Sequence, residues 1–253
     1  MAERGSLDLL GPSTKRAVGA ILAGVPPDEA GAAGTTNGAA MRIAPVGIAV
    51  PLDPAVPVAT SLPTLVDQVV MASRVTHDTG IALAGAAAVA AAVSAGVSGA
   101  TIAGATARGV AAAHIAAGRG HWVAGADVAA RIEWATALVA GRAEAEAAEL
   151  IDILIGTSLA TQESVPAAFA VLAAVPGDPW HACRLAASLG GDCDTIAAIT
   201  GAIAGACHGA GSFPPEAIAV IDAQGLGLAA LAGELLALRD LLARGDRPGS
   251  PAS

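Results

Sequence analysis

The sequence predicts an all-α fold, formed as a single compact domain of many helices. Hydrophobic residues make up 54% of the chain, and the commonest of them by far is alanine, the best helix former. Aromatic residues make up only 2% and tyrosine is absent, so residues that favour strands are scarce. Several segments repeat apolar residues at the i, i+3, i+4 spacing of one buried helix face. With 253 residues, the chain is long enough to bury one large core.

The first two predicted helices lie on either side of a Gly- and Pro-rich stretch. The segment GPSTKRAVGAILAG predicts a helix that is capped by Ser13 or Thr14 and ends at Gly24. The segment SLPTLVDQVVMASRV predicts a helix with one buried face, formed by Leu62, Leu65, Val66, Val69 and Val70.

Residues 80–107 carry no charged side chain and leave two interpretations open. The length suits a membrane span. Its content is mainly Ala, Gly, Ser and Thr, however, and no Lys/Arg flank or Trp/Tyr belt accompanies it. We therefore predict two soluble helices, broken near Gly96 and Gly99 and packed closely through small residues, and no membrane partner.

The second half of the chain predicts three more helices around the GGDCDT segment. In HWVAGADVAARIEWATALVAG the predicted apolar stripe is Trp122, Val123, Val128, Ile132 and Ala135. In SVPAAFAVLAAV, Ser164 is predicted to be the cap, with Pro166 in the first turn. Residues 226–243 predict an amphipathic closing helix, and the polar Pro/Gly/Ser-rich tail 244–253 is predicted to be disordered. Residues 1–243 are thus predicted to form one domain.

Charge and cysteine content exclude some functions. The net charge of −9 and the lack of a Lys/Arg cluster argue against nucleic acid as a partner. The three cysteines, Cys183, Cys193 and Cys207, have no CxxC spacing. Because their number is odd and the first residues, MAERGSLDLLG, contain no apolar signal core, we expect reduced thiols and a cytoplasmic location.

The segment GGDCDT places two carboxylates directly before an apolar helix. Gly190 and Gly191 allow a sharp turn into a helix that is predicted to begin near Asp194 or Thr195. One aspartate at such a position is often only a helix cap. Asp192, Asp194 and Thr195 together offer hard oxygen ligands within one turn, which is the chemistry that Mg²⁺ or Ca²⁺ requires.

Two further segments contain polar residues at turns. GTTNGAAMRIAPVG (34–47) could present backbone N–H groups to a phosphate or a sugar hydroxyl, or it could be an ordinary turn. Its Arg42 could pair with a ligand phosphate or with an internal carbonyl. In VTHDTG, His77 and Asp78 stand at the start of the long apolar helix, where Asp78 is most simply a cap.

Taken together and in order, these segments resemble the ADP-ribosylglycohydrolase family of all-helical, Mg²⁺-dependent enzymes. The matching pieces are GPST (11–14), NGAAMRIAP (37–45), the TH at 76–77, ESVPAAF (163–169) and GGDCDTIAAITGAIAGACHG (190–209). The last is the most specific, since it is similar to the family's GGDxDT signature and the small-residue helix that follows it. Cys193 stands where threonine is common in that signature.

The resemblance implies a hydrolase that uses two Mg²⁺ ions to cleave the ribosyl C1″ bond. Its substrate would be an ADP-ribosylated protein or a small ADP-ribosyl or nucleoside conjugate. By position, Asp192, Asp194 and Thr195 correspond to metal ligands, and the two aspartates also to catalytic residues. Asn37, Gly38 and His77 correspond to the region that binds the ribose and diphosphate.

The sequence also departs from the family pattern. In the family a long N-terminal portion precedes GPST and carries a Thr-Asp-Asp motif that supplies the other metal ligands, and this sequence contains no TDD. We therefore expect a partial ligand set, weak Mg²⁺ binding and slow or no turnover by this chain alone. Three interpretations stay open: a hydrolase whose N-terminal family portion is missing here, a split enzyme completed by a separate N-terminal chain, and a non-catalytic relative that binds ADP-ribose or a nucleotide.

Overall fold

The computed structural model describes residues 10–52 and 58–244, and within these ranges all regular elements are helical. The only extended pairing among them consists of two isolated bridges, Thr36 with Ala160 and Thr79 with His121. The predicted all-α fold is confirmed.

The α-helices are joined by connections of different lengths, of which residues 23–43, between the first two, are the longest in the described ranges. They are α1 (Pro12–Leu22), α2 (Ala44–Ala49), α3 (Val58–Ser73), α4 (Gly80–Val97), α5 (Ile102–Ala116), α6 (Val128–Val139), α7 (Glu144–Leu150), α8 (Thr161–Ala174), α9 (Pro179–Ser188), α10 (Cys193–His208), α11 (Pro215–Asp222) and α12 (Leu228–Ala243). Two 3-10 turns (Ala40–Arg42 and Ala210–Ser212) and a π-helical turn (Ile151–Ile155) complete the regular structure of the described ranges.

Helix α4 forms the centre of the core. It is long and apolar enough to cross a membrane, but 83% of it is buried inside the protein, as in the core helix of a soluble protein. It packs against α2, α3, α5, α8 and α10. A turn at Gly99 (φ +89°) separates α4 from α5, so the prediction of two closely packed helices is confirmed.

Glycines at the contacts between α4 and its neighbours let the helices pack closely. A Cβ added at Gly85 would collide with the methyl group of Thr161, the first residue of α8. A Cβ at Gly47 in α2 would lie 2.5 Å from the carbonyl oxygen of Ala90. The N-termini of α4 and α8 therefore meet at the same end of the core.

The predicted face of α3 is confirmed, because Leu62, Leu65, Val66 and Val69 are fully buried and Val70 is half-buried.

Two predicted helix caps are wrong, those of α1 and α8. Helix α1 begins at Pro12 after Gly11 and ends at Leu22, and Gly24, the predicted stop, follows two residues later with φ +92°. Proline is preorganised for the first helical position and takes it, so Ser13 lies inside the helix. Helix α8 begins at Thr161, which places Ser164 and Pro166 within it.

Three other expectations differ in detail. Helix α6 begins at Val128 with Asp127 as its cap, so Trp122 and Val123 precede it, and Trp122 is 86% exposed. Thr79 rather than Asp78 caps α4. Helix α12 exposes several leucines, and its one buried residue is Arg239, so it is less amphipathic than predicted. The predicted disorder of the tail falls on residues that, after Arg244, lie outside the described ranges.

Candidate functional site

A hydrogen bond between Asn37 and Asp192 forms the centre of the candidate site. Asn37 Nδ2 donates to Asp192 Oδ2 at 2.5 Å and to Ser164 Oγ at 2.8 Å. The Asn37 side chain is 2% exposed, whereas Asp192 is half-buried. The two residues stand 155 positions apart in the chain, so the fold brings together two segments that the sequence analysis had selected independently.

Asp192 precedes the first residue of α10, but its carboxylate does not cap the helix. Gly190 and Gly191 take positive φ angles of 81° and 62°, which turn the chain sharply into α10. A Cβ at Gly191 would collide with both oxygens of Thr157. The interpretation of Asp192 as a simple cap is therefore wrong, and its carboxylate is directed to Asn37 instead.

One short loop, residues 156–160, supports both halves of the pair, and we call it the bridging loop. The Thr157 carbonyl accepts a hydrogen bond from the Asp192 backbone N–H at 2.7 Å. The Leu159 carbonyl accepts one from the Asn37 backbone N–H at 3.0 Å. The separation of Asn37 and Asp192 thus depends on the conformation of this loop.

The remaining oxygen donors differ in exposure. Asp194 lies in the first turn of α10 and is exposed, whereas Thr195 is 4% exposed and its Oγ1 lies 4.0 Å from Met41 Sδ. Within residues 10–52 and 58–244, no group of three or more His, Cys, Asp or Glu side chains could hold a metal ion. The donors at Asp192, Asp194 and Thr195 therefore fit a hard divalent cation in kind but are too few to enclose one.

His77 lies beneath the loop that carries Asn37. The residue is 0% exposed, and its Nε2 and Nδ1 atoms lie 3.0 Å from Thr36 Oγ1 and 2.7 Å from Thr76 Oγ1. A Cβ at Gly38 would lie 3.0 Å from the imidazole ring, so Gly38 packs directly on it. In this arrangement both ring nitrogens bond to the protein, and the ring supports Asn37 and Gly38 from below.

Arg42 fixes the proton pattern of this network. Its guanidinium donates to the Gly38 carbonyl at 3.1 Å and to Thr76 Oγ1 at 2.9 Å. Of the two partners that the sequence left open, a ligand phosphate or an internal carbonyl, the structure therefore shows the internal carbonyl. The Thr36 hydroxyl donates to Ser13 Oγ at 2.9 Å. Because Thr76 Oγ1 accepts from Arg42, its own proton is free to bond to Nδ1 of His77. Because Thr36 gives its proton to Ser13, Thr36 Oγ1 accepts from Nε2, which places the ring proton on Nε2.

The buried His77 predicts a pH-dependent stability. Burial lowers the pKa of His77 most, the nearby Arg42 charge lowers it in the same direction, and together they bring the pKa to about 4. Below about pH 6.5 the unfolded chain binds a proton that the folded protein does not bind until about pH 4. We expect the free energy of unfolding to fall by about 3 kcal/mol between these pH values because of His77.

Urea unfolding of the wild type and of His77→Asn across this range measures the effect as a difference. His114→Asn is the matched control, because His114 is exposed on α5. A wild-type slope that persists unchanged in His77→Asn would contradict the assignment.

The sequence analysis missed three residues that build this site. Ser164 bonds to Asn37, Thr157 holds the Asp192 backbone, and Thr36 joins Ser13 to His77. Ser164 lies in the ESVPAAF segment, so its position had been noted, but Pro166 two residues later led to its prediction as a cap. Thr36 lies beside Asn37, and only that proximity could have identified it.

Two comparisons with known proteins cover most of the chain. A family model described as ADP-ribosylglycohydrolase matches residues 1–245. The chain is also 36% identical over 217 residues to the uncharacterized protein YegU of Escherichia coli (strain K12). This match covers 85% of the chain and 63% of YegU, so the chain spans less than two thirds of the length of that relative.

Proposed function

The chain belongs to the ADP-ribosylglycohydrolase family, and on this premise we propose that it forms the Asp192 side of a Mg²⁺-dependent site that hydrolyses the ribosyl C1″ bond of ADP-ribosyl conjugates. The Asn37–Asp192 hydrogen bond carries the proposal. It joins the most specific segment of the family resemblance, GGDCDT, to the NGAAMRIAP segment, and it keeps the Asp192 carboxylate away from the backbone of its own helix.

Each residue has a proposed role. Asp192, Asp194 and Thr195 would hold a cation, together with water and donors outside the described set. Asn37 and Gly38 would line the position of the ribosyl group, and His77 would support them from beneath. Bound Mg²⁺ would supply Lewis acidity toward the ribose oxygens.

The carboxylates have a chemical role of their own in this proposal. Cleavage at C1″ develops positive charge on the ribose ring, and the negative charge of Asp192 stabilises it. Water supplies the new oxygen on C1″, and the leaving group departs with a proton. The buried amide of Asn37 keeps the Asp192 carboxylate in one orientation, so little reorganisation is needed during the reaction.

The surrounding helix ends support an anionic substrate. The N-termini of α8 and α10 meet near Asn37, through Ser164 and Asp192. The start of α6 is also close, because a Cβ at Gly125 would collide with the Gln162 side chain at the start of α8. Helix N-termini carry partial positive charge, which favours a ligand with a diphosphate.

A second candidate is a non-catalytic protein that binds ADP-ribose or a nucleotide. The observation that favours it is the small donor set, because the described residues include no group of three possible ligands among His, Cys, Asp and Glu. Binding through Asn37, Gly38 and the helix N-termini would need no complete metal cage. A separate chain that supplies the missing donors would convert this binder into the enzyme.

Two measurements on the purified chain separate these functions. Isothermal titration with Mg²⁺ and with ADP-ribose measures binding, and release of free ADP-ribose from arginine- and serine-linked conjugates, with and without EDTA, measures hydrolysis. Hydrolysis that EDTA abolishes, or ADP-ribose binding that requires Mg²⁺, supports the enzyme, whereas ADP-ribose binding that is unchanged by EDTA and occurs without release supports the second candidate. Neither binding nor release would overturn both.

A further inference from the structure

Arg131 on α6 binds one backbone carbonyl on each side of the bridging loop. Its Nε donates to the Gln162 carbonyl at 2.6 Å, and its NH2 group donates to the Ile155 carbonyl at 2.7 Å. These two carbonyls flank residues 156–161, and the side chain of Arg131 lies half-buried between them. No sequence motif pointed to this residue.

Both carbonyls lack a partner within their own helices. In an α-helix the Gln162 carbonyl would accept from the backbone N–H of residue 166, but that residue is Pro166, which has none. The Ile155 carbonyl belongs to the last residue of the π-helical turn, where the helix ends. A carbonyl left without a hydrogen-bond partner in the interior is destabilising. Arg131 supplies the donors that the helices around the loop do not provide for these two carbonyls.

The loop between these carbonyls is the one that holds both halves of the site. Thr157 accepts from the Asp192 backbone and Leu159 from the Asn37 backbone. We propose that Arg131 is a positioning residue that sets the separation of Asn37 and Asp192 by fixing both ends of the bridging loop. Its effect on ligand binding rests on the proposed function, whereas its effect on the two backbone hydrogen bonds does not.

The geometry requires arginine rather than any cation. The two bonds use two nitrogens of the planar guanidinium, which presents its donors in a fixed fork, whereas a lysine ammonium is a single point on a flexible stem. The guanidinium also lies 5.1 Å from the centre of the Trp134 ring, one turn along α6, and this contact helps to orient it. Lysine at position 131 can therefore replace at most part of the arrangement.

An experiment without ligand tests directly whether Arg131 fixes the bridging loop. Hydrogen exchange of the Asn37 and Asp192 backbone amides is measured in the wild type, in Arg131→Gln and in Ile132→Val. Ile132 is the next residue on α6 and is fully buried, so Ile132→Val reduces stability while both hydrogen bonds of Arg131 are kept. After correction for global stability, we expect both amides to exchange about tenfold faster in Arg131→Gln than in the control.

Equal exchange in Arg131→Gln and Ile132→Val would overturn the proposal, since it would reduce Arg131 to general packing. If Arg131→Gln does not fold, Arg131→Lys is compared in the same way. We then expect both amides to exchange faster than in Ile132→Val, and equal exchange would overturn the proposal.

Titration with ADP-ribose in the presence of Mg²⁺ then tests the consequence for the site. If the wild type binds, we expect about tenfold weaker binding in Arg131→Gln and little change in Ile132→Val. Faster amide exchange with unchanged ADP-ribose affinity would overturn the link to the site. If the wild type does not bind, the proposed function fails, and the exchange rates alone decide whether Arg131 fixes the two backbone hydrogen bonds.

Discussion

Replacing Asp192 by asparagine is expected to weaken Mg²⁺ binding about 30-fold or more while the fold is retained. A divalent ion and a carboxylate 4 Å apart attract each other by about 2 kcal/mol even in water, and removing that charge costs about 30-fold in affinity. The asparagine oxygen can still accept from Asn37 Nδ2, so the hydrogen bond that joins the two halves of the site survives. The loss is therefore one of charge rather than of shape.

Isothermal titration with Mg²⁺ measures the effect, and thermal unfolding checks that the variant is folded. Asp222→Asn is the matched control, because Asp222 is an exposed aspartate at the end of α11. Asp194→Asn should reduce affinity less than Asp192→Asn, since water screens the exposed Asp194 more strongly. Equal Mg²⁺ affinity in the wild type and in Asp192→Asn would remove Asp192 from the cation site.

Replacing Arg239 by methionine is expected to lower the free energy of unfolding by about 3 kcal/mol or more. Arg239 is 8% exposed, and its NH1 atom donates to the carbonyls of Gly47, Ile48 and Val50 at 3.0–3.2 Å. Helix α2 ends at Ala49, where the last carbonyls have no helical partner, so the guanidinium satisfies them. Its NH2 atom also donates to the carbonyl of Ser94 in α4 at 3.0 Å.

Methionine keeps the length and apolar stem of arginine but donates no hydrogen bond, so the carbonyls of Gly47 and Ile48 lose the guanidinium donor. The Val50 carbonyl keeps a bond from Ser94 Oγ, and the Ser94 carbonyl keeps one from the Ser98 backbone. Arg244→Met is the matched control, because Arg244 is exposed at the end of the same helix. Urea unfolding measures the loss, and limited proteolysis shows whether α12 separates first, as its exposed leucines suggest. A change below about 1 kcal/mol would mean that water replaces the guanidinium at these carbonyls.

Much of the fold could be predicted because local patterns determine it. The apolar spacing in α3 identified Leu62, Leu65, Val66 and Val69 as core residues, and the charge-free stretch divided at Gly99 as expected. The errors lie where one residue can serve two purposes. Ser164 precedes a proline at a spacing typical of a helix start, yet its hydroxyl serves a tertiary contact with Asn37 instead.

The candidate site was predicted as separate segments, but its geometry was not. The resemblance assigned Asn37 and Asp192 to related regions, but no periodicity relates residues 155 positions apart. The bridging loop and Arg131 act through backbone carbonyls, which every residue type provides, so the sequence carries no distinctive mark of them. Only the absence of an N–H at Pro166 hints that a donor from elsewhere must reach Gln162.

The distance along the chain between Asn37 and Asp192 also affects how the protein is made. At about 5–20 residues per second, a ribosome needs about 8–31 s to synthesise the 155 residues between them. During that time the amide of Asn37, which is buried in the finished protein, lacks its final acceptor. The hydrogen bond closes only after the start of α10 has emerged, so a nascent chain completes its candidate site after most of the core helices have been synthesised.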